Sequence, residues 1–191
     1  TFLRSKIKGL EADGNKVSIF TTKFGKNDSN YDVRSPLRFS LKNGLLSLKD
    51  ILKFLYLLTS HLKVFIEFYK LEKSIGRSTI QITKGGFLNA HTLSAKLDWL
   101  HFGFGMLAIN RENLAKSIGA KMAVSFRGAD LYLSPLKHPN CYDVLIKQEV
   151  KYHVLSREMF DTLISKNIDS KQIDIITPAI DIDFFTSNNK L

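Results

Sequence analysis

Between residues 97 and 176, short apolar runs of strand length alternate with segments of helical character, and this rhythm restricts the fold more than any other feature. Leu97-Asp98-Trp99-Leu100-His101-Phe102 reads as a buried strand, followed by a glycine-containing turn and a helix over 105–117 that Gly119 stops. Lys121-Met122-Ala123-Val124-Ser125-Phe126 is the next strand, with Arg127-Gly128-Ala129-Asp130 as the loop behind it. A short helix near 142–148 leads to strand Tyr152-His153-Val154-Leu155. Ser156 stands at an N-cap position before a helix over 157–166. Gln172-Ile173-Asp174-Ile175-Ile176 is the last strand, closed by Thr177-Pro178-Ala179.

Strands and helices in this order call for βαβ units. The expected fold is a Rossmann-like, doubly wound α/β domain whose parallel sheet is wrapped on both faces. Ligands of such sheets lie beyond the carboxyl ends of the strands. Three loops are expected at that edge: His101–Gly105, Phe126–Asp130 and Ser156-Arg157.

The first half of the chain is less regular. Residues 2–12 carry a helical stripe of Phe2, Leu3, Ile7 and Leu10, ended by Ala12-Asp13-Gly14-Asn15. Lys16–Phe20 alternates as a strand, and a helix followed at once by a strand implies a first strand before Thr1. Residues 22–46 read as an irregular connection, and residues 47–75 as a long helical region packed as a helix pair on a sheet. Lys53, His61, Lys63, Glu67 and Lys70 interrupt every window there that is long enough to span a bilayer. Gly85-Gly86 reads as a flexible turn.

At 191 residues the chain has room for one sizeable α/β core and not for two full domains. Its lone Cys141 excludes an internal disulfide and a multi-cysteine metal site, which fits a reducing, cytoplasmic setting. A net charge of +10, spread along the chain, suits an anionic partner or serves solubility alone. Nucleic acid is not the expected partner, because no basic stripe is interleaved with aromatics outside the core pattern. Neither a Gly-x-Ser-x-Gly elbow nor a Gly-x-Gly-x-x-Gly or Walker-type loop occurs.

The strand ends also carry a resemblance. Asp98–Gly103 resembles the strand-and-turn of the acceptor domain in family-four glycosyltransferases, which have the GT-B fold. Ala123–Asp130 is similar to that family's Thr-Phe-His-Gly-x-Asp segment, and Tyr152–Glu158 to its next strand and helix start. Ile176–Phe185 resembles the Pro-x-Gly-[Ile/Val]-Asp-x-x-x-Phe exit segment, and Thr1-Phe2-Leu3 the end of a Ser-Glu-Thr-Phe stretch. The likeness covers 1–20 and 89–185 and leaves 22–88 without a counterpart. Arg127 stands where the family often has histidine, and Ala179 replaces the usual glycine.

The resemblance implies that residues 1–185 are the acceptor-binding N-terminal domain of a retaining glycosyltransferase, with 186–191 opening a linker to a donor-binding domain. Such an enzyme moves a sugar from a nucleotide-sugar donor to a glycan or lipid-linked acceptor, as in cell-surface polysaccharide synthesis. No cofactor and no metal are expected. The setting is the cytoplasm, or the periphery of the inner membrane face, where the lysine-flanked helices of 47–75 meet anionic lipid. The alternative is a glycosyltransferase-like binding module that kept the fold and lost catalysis, for which Arg127 at the histidine position speaks.

Each candidate residue has a functional and a structural reading. His101 serves proton transfer to or from a substrate, or is a satisfied structural histidine. Arg127 holds a phosphate or carboxylate, or pairs with a carboxylate such as Asp130. Gly128 lets a ligand approach the backbone or only makes the turn. Asp130 accepts from sugar hydroxyls or caps the helix that follows, and Ser156 is a ligand or, more simply, a cap. Arg157, at a helix start, holds an anionic group or is a solvated surface residue. Asp181-Ile182-Asp183 fits the exit segment better than a metal motif.

Overall fold

The computed structural model describes residues 2–22, 31–37 and 48–177, with the side chains of Phe2 and Leu3 excepted. The chain divides into two compact units: Thr1–Leu97 with Lys116–Gly119, and Asp98–Ala115 with Ala120–Leu191.

In the first unit, helix α1 (Phe2–Ala12) leads to strand β1 (Ser18–Phe20), as its periodicity predicts. Strand β2 (Asp32–Arg34) pairs with β1 in parallel, within the stretch expected to be irregular. Three residues are too short a run to show alternation, and this pairing over 14 residues has no local signature. Helices α2 (Leu48–Ser60) and α3 (Leu62–Ser74) form the expected helix pair, with the break at His61. Helix α4 (Thr79–Leu88) begins with a capping box of Ser78 and Gln81, and α5 (Ala90–Leu93) follows it.

Gly85 and Gly86 lie inside α4, which corrects the expected flexible turn. A β-carbon on Gly85 would meet the Phe68 ring at 3.6 Å and one on Gly86 the rings of Phe65 and Phe68 at 3.8 Å, ordinary van der Waals contact, so this face of α4 packs against α3. Phe54 packs against Phe65 and Phe87 at 5.8 and 5.2 Å between ring centres, closing an aromatic core. Among the described residues no helix is long and apolar enough to cross a membrane.

The second unit contains a four-stranded, all-parallel sheet in the order β3 (Trp99–Phe102), β4 (Lys121–Ser125), β5 (Val150–Val154), β6 (Ile173–Ile175). Its helices are α6 (Gly105–Ala108), the first half of α7 (Leu114–Ser117), α8 (Ser134–Lys137), α9 (Asp143–Ile146) and α10 (Arg157–Ile164), with a π-helical turn at Ala129–Leu133. The helix expected over 105–117 is instead two single turns. Asn110 between them adopts a left-handed φ of 61°, which no continuous helix accommodates. Helix α10 ends in a Schellman motif: Asn167 has φ 62°, Ile168 N–H reaches Leu163 O, and both Leu163 and Ile168 are buried.

Strand pairing puts Leu100, Met122, Val124, Val150, Tyr152, Val154 and Ile173 on one face, all buried. Trp99, His101, Lys121, Lys151 and Asp174 share the other face and are exposed. Strand β3 is therefore half-buried, not the wholly buried strand expected. The order explains this. Each connection steps to the next neighbour in the same direction, so right-handed crossovers send their helices to the same face. Wrapping the second face requires the strand order to reverse, and the four strands do not reverse. The α/β class with a parallel sheet is as expected, and among the described residues the sheet has one apolar and one polar face.

On the apolar face the phenols of Tyr142 and Tyr152 donate to Asp130 O and Leu145 O at 3.0 and 3.1 Å. Burial raises both pKa values well above the ordinary 10.0, with the Asp130 charge adding to the effect at Tyr142. A raised folded pKa means that the native state holds its proton more tightly than the unfolded chain. That stability is complete below the unfolded pKa of about 10 and is lost as pH climbs above it. Urea midpoints between about pH 9 and 12 should fall, with the share of tyrosinate absorbance that belongs to Tyr142 and Tyr152 appearing only as the protein unfolds.

Candidate functional site

Parallel pairing brings the carboxyl ends of β3, β4 and β5 to one edge, so the turns after Phe102, Ser125 and Val154 lie there together, as expected. The residues singled out from sequence differ in what holds them.

Asp130 is 5% exposed, and its two carboxylate oxygens accept from Met106 N–H at 3.3 Å and Arg127 N–H at 3.1 Å. The second bond is the reverse half of a capping box: Arg127 O accepts from Leu131 N–H, and the acidic residue three places on reaches back to the Arg127 amide. Asp130 thereby ties the turn after β3 to the turn after β4. The Arg127 side chain is half-buried, and Gly128 is exposed with Tyr132 as its nearest side-chain neighbour.

Ser156 caps α10 through a bond from Met159 N–H, the more local of its two readings. Arg157 pairs with Asp161 at 3.1 Å one turn on and lies 4.5 Å over the Phe160 ring, with its side chain 74% exposed.

His101 joins two residues that the sequence did not single out. Its Nε2 is 2.8 Å from Ser125 Oγ, and the same oxygen is 2.9 Å from His153 Nδ1. His153 Nε2 in turn bonds to Ile176 O at 3.1 Å. Their sequence separations are 24 and 28 residues, so no local motif announces the set. The available signal was the alternation itself: Ser125 and His153 stand at polar positions of β4 and β5, in register with each other.

The first unit holds a cleft of about 550 Å³, lined in part by Arg34, Ser35, Asp50, Lys53, His91 and Ser94. Arg34 is fixed there by Asp32 at 3.2 Å and by the Phe20 ring at 5.7 Å. The hydrogen bond from Ser18, with that from Arg34, holds the Asp32 carboxyl below its usual pKa. Nothing in the sequence of 31–37 pointed to this cleft, because its walls come from three separate segments.

Among the described residues, no group of three or more His, Cys, Asp or Glu side chains is placed to hold a metal ion. Asp181-Ile182-Asp183 and most of the exit segment lie outside the described residues. No protein-family model, curated protein or solved structure matches this chain.

Proposed function

We propose that this chain is the acceptor-side half of a two-domain retaining glycosyltransferase, which moves a sugar from a nucleotide-sugar donor to a glycan or lipid-linked acceptor. One observation carries the reading. The segments similar to the family, Asp98–Gly103, Ala123–Asp130 and Tyr152–Glu158, are strand-plus-turn units of three adjacent parallel strands. Their turns therefore share the edge where parallel sheets bind ligands. Arg127 supplies a permanent positive charge there for an anionic group of the substrates.

The full-length protein is expected to turn over a nucleotide sugar, and Arg127→Ala to lower kcat/KM by about 10²–10³-fold. Residues 1–191 alone are expected to be inactive, since the donor site of this family lies in its second domain. Absence of turnover across uridine, guanosine, adenosine and cytidine diphosphate or monophosphate sugars would overturn the proposal.

A lipid-linked acceptor is favoured by the surface of α2 and α3. Leu48, Leu52, Leu55 and Tyr56 on α2, and Leu62, Ile66 and Tyr69 on α3, are exposed at helical spacing. Lys49, Lys53, Lys63, Lys70 and Lys73 lie among them. Apolar stripes flanked by lysines suit an anionic interface. The protein should cosediment with phosphatidylglycerol-containing vesicles and lose this with Leu52→Glu and Leu55→Glu together. Equal sedimentation of wild type and variant would count against the membrane surface.

A further inference from the structure

The cleft of the first unit is separate from the sheet edge at which the transfer reading places its substrates, and it has a chemistry of its own. Its volume of about 550 Å³ suits a small molecule of about one or two sugar rings. The walls are of two kinds. Val33, Pro36, Leu37 and Leu57 are apolar, whereas Arg34, Ser35, Asp50, Lys53 and Ser94 carry a charge or a hydroxyl.

The fold leaves bonding capacity unused on three of these groups. Arg34 donates to Asp32 through Nε and Nη2, at 3.3 and 3.2 Å, and its guanidinium lies 5.7 Å from the centre of the Phe20 ring. These contacts hold the guanidinium in place, and among the described residues its Nη1 has no acceptor. Asp50 and Lys53 stand three residues apart on α2, which puts both on one side of that helix. Among the described residues neither has a hydrogen-bond or ion-pair partner.

Several ligand classes fail against this lining. A simple anion would be repelled by Asp50 and would leave the apolar wall wet. A cation would be repelled by Arg34 and Lys53. A wholly apolar molecule would strip water from three charges without replacing its hydrogen bonds. A sugar ring with an acidic group matches every wall: its C–H face suits the apolar residues, its hydroxyls suit Asp50 and the two serines, and its acid suits the cations. A carboxylate accepts from two neighbouring hydroxyls at once, and a guanidinium edge pairs with a carboxylate or phosphate. The net charge of +10 draws such anions toward the protein.

We infer that this cleft is a binding site for an acidic sugar, a pyranose bearing a carboxylate or a phosphate, with Arg34 and Lys53 on the acid and Asp50 on ring hydroxyls. None of these residues is assigned to sugar transfer, so the site goes beyond the glycosyltransferase reading and stands or falls without it.

Calorimetric titration of the full-length protein, with no nucleotide sugar present, tests the assignment. Glucuronate and glucose 6-phosphate carry the two acids, glucose lacks the acid, acetate lacks the hydroxyls, and glutamate has an ammonium in their place. At least one of the acidic sugars should bind about tenfold tighter than glucose, acetate and glutamate. Lys53→Gln and Asp50→Ala, both on the surface of α2, should each weaken that binding by about tenfold to hundredfold, with far-ultraviolet circular dichroism unchanged. The direction at Asp50 separates the classes, because removing a repelling carboxylate tightens the binding of a simple anion. Tighter binding in Asp50→Ala, a preference for acetate or glutamate, an affinity indifferent to both substitutions, or no binding of either acidic sugar would overturn the assignment. None of these results bears on turnover of a nucleotide sugar, so the two proposals fail independently.

Discussion

Replacing Arg77 by leucine is expected to destabilise the protein by about 3–5 kcal/mol, since it leaves a buried carboxylate without its cation. Glu72 is 2% exposed on α3, and its Oε2 pairs with the Arg77 guanidinium. The backbone makes this pair. Helix α3 ends in a Schellman motif in which Gly76, at φ 84°, donates to Lys73 O, and Arg77 N–H reaches Glu72 O at 3.2 Å. The motif sets those two residues side by side, where an apolar contact is usual. A double variant, Glu72→Leu with Arg77→Leu, should therefore recover most of the loss, because it removes the charge and restores that contact. Urea unfolding followed by far-ultraviolet circular dichroism closes the cycle. A loss below about 1 kcal/mol in the single variant would show that the pair acts like a surface ion pair.

Substituting alanine at Gly105 is the second large effect, a loss of about 1–3 kcal/mol from overpacking. A β-carbon there would lie 2.5 and 2.9 Å from Phe126 Cε1 and Cδ1 and 3.1 Å from the Tyr142 hydroxyl. Phe126 is not free to yield. It is 1% exposed, edge-on to Tyr142 at 5.0 Å and stacked on Tyr152 at 5.9 Å. The strain falls on the turn after β3, which Asp130 ties to the turn after β4 through Met106 N–H. Gly105→Ala should therefore also perturb the backbone amides of Met106 and Arg127 in a ¹H–¹⁵N spectrum. An unchanged urea midpoint would mean that the helical turn shifts to make room.

These positions show where local chemistry ends. From the sequence, the strands at 99–102, 121–125, 150–154 and 173–175, the cap at Ser156 and the helix stop at Gly119 were legible. Each depends on the residue itself and its neighbours: apolar runs of strand length, a side-chain oxygen before a helix, a glycine able to adopt positive φ. The helix expected over 105–117 failed at Asn110, whose left-handed backbone is a choice that asparagine tolerates and does not require. A Gly-Gly pair favours a turn by local propensity, and the capping box at Ser78 together with packing on the rings of Phe65 and Phe68 holds Gly85-Gly86 in a helix instead.

The candidate site divides along the same line. Charged and polar residues at strand ends could be named from the sequence, and parallel pairing gathered their turns at one edge. What each side chain does there was set by partners far along the chain. Asp130 bonds to an amide 24 residues away, and Ser125 bridges histidines 24 and 28 residues away. Sheet pairing brings Ser125 within 3 Å of both histidines, and the one-directional strand order leaves a polar face for them to occupy. The sequence by itself determined the elements and their caps, since those energies are local. The tertiary structure decided the exposed sheet face and the histidine–serine–histidine chain, since they depend on pairing between strands that carries no local signature.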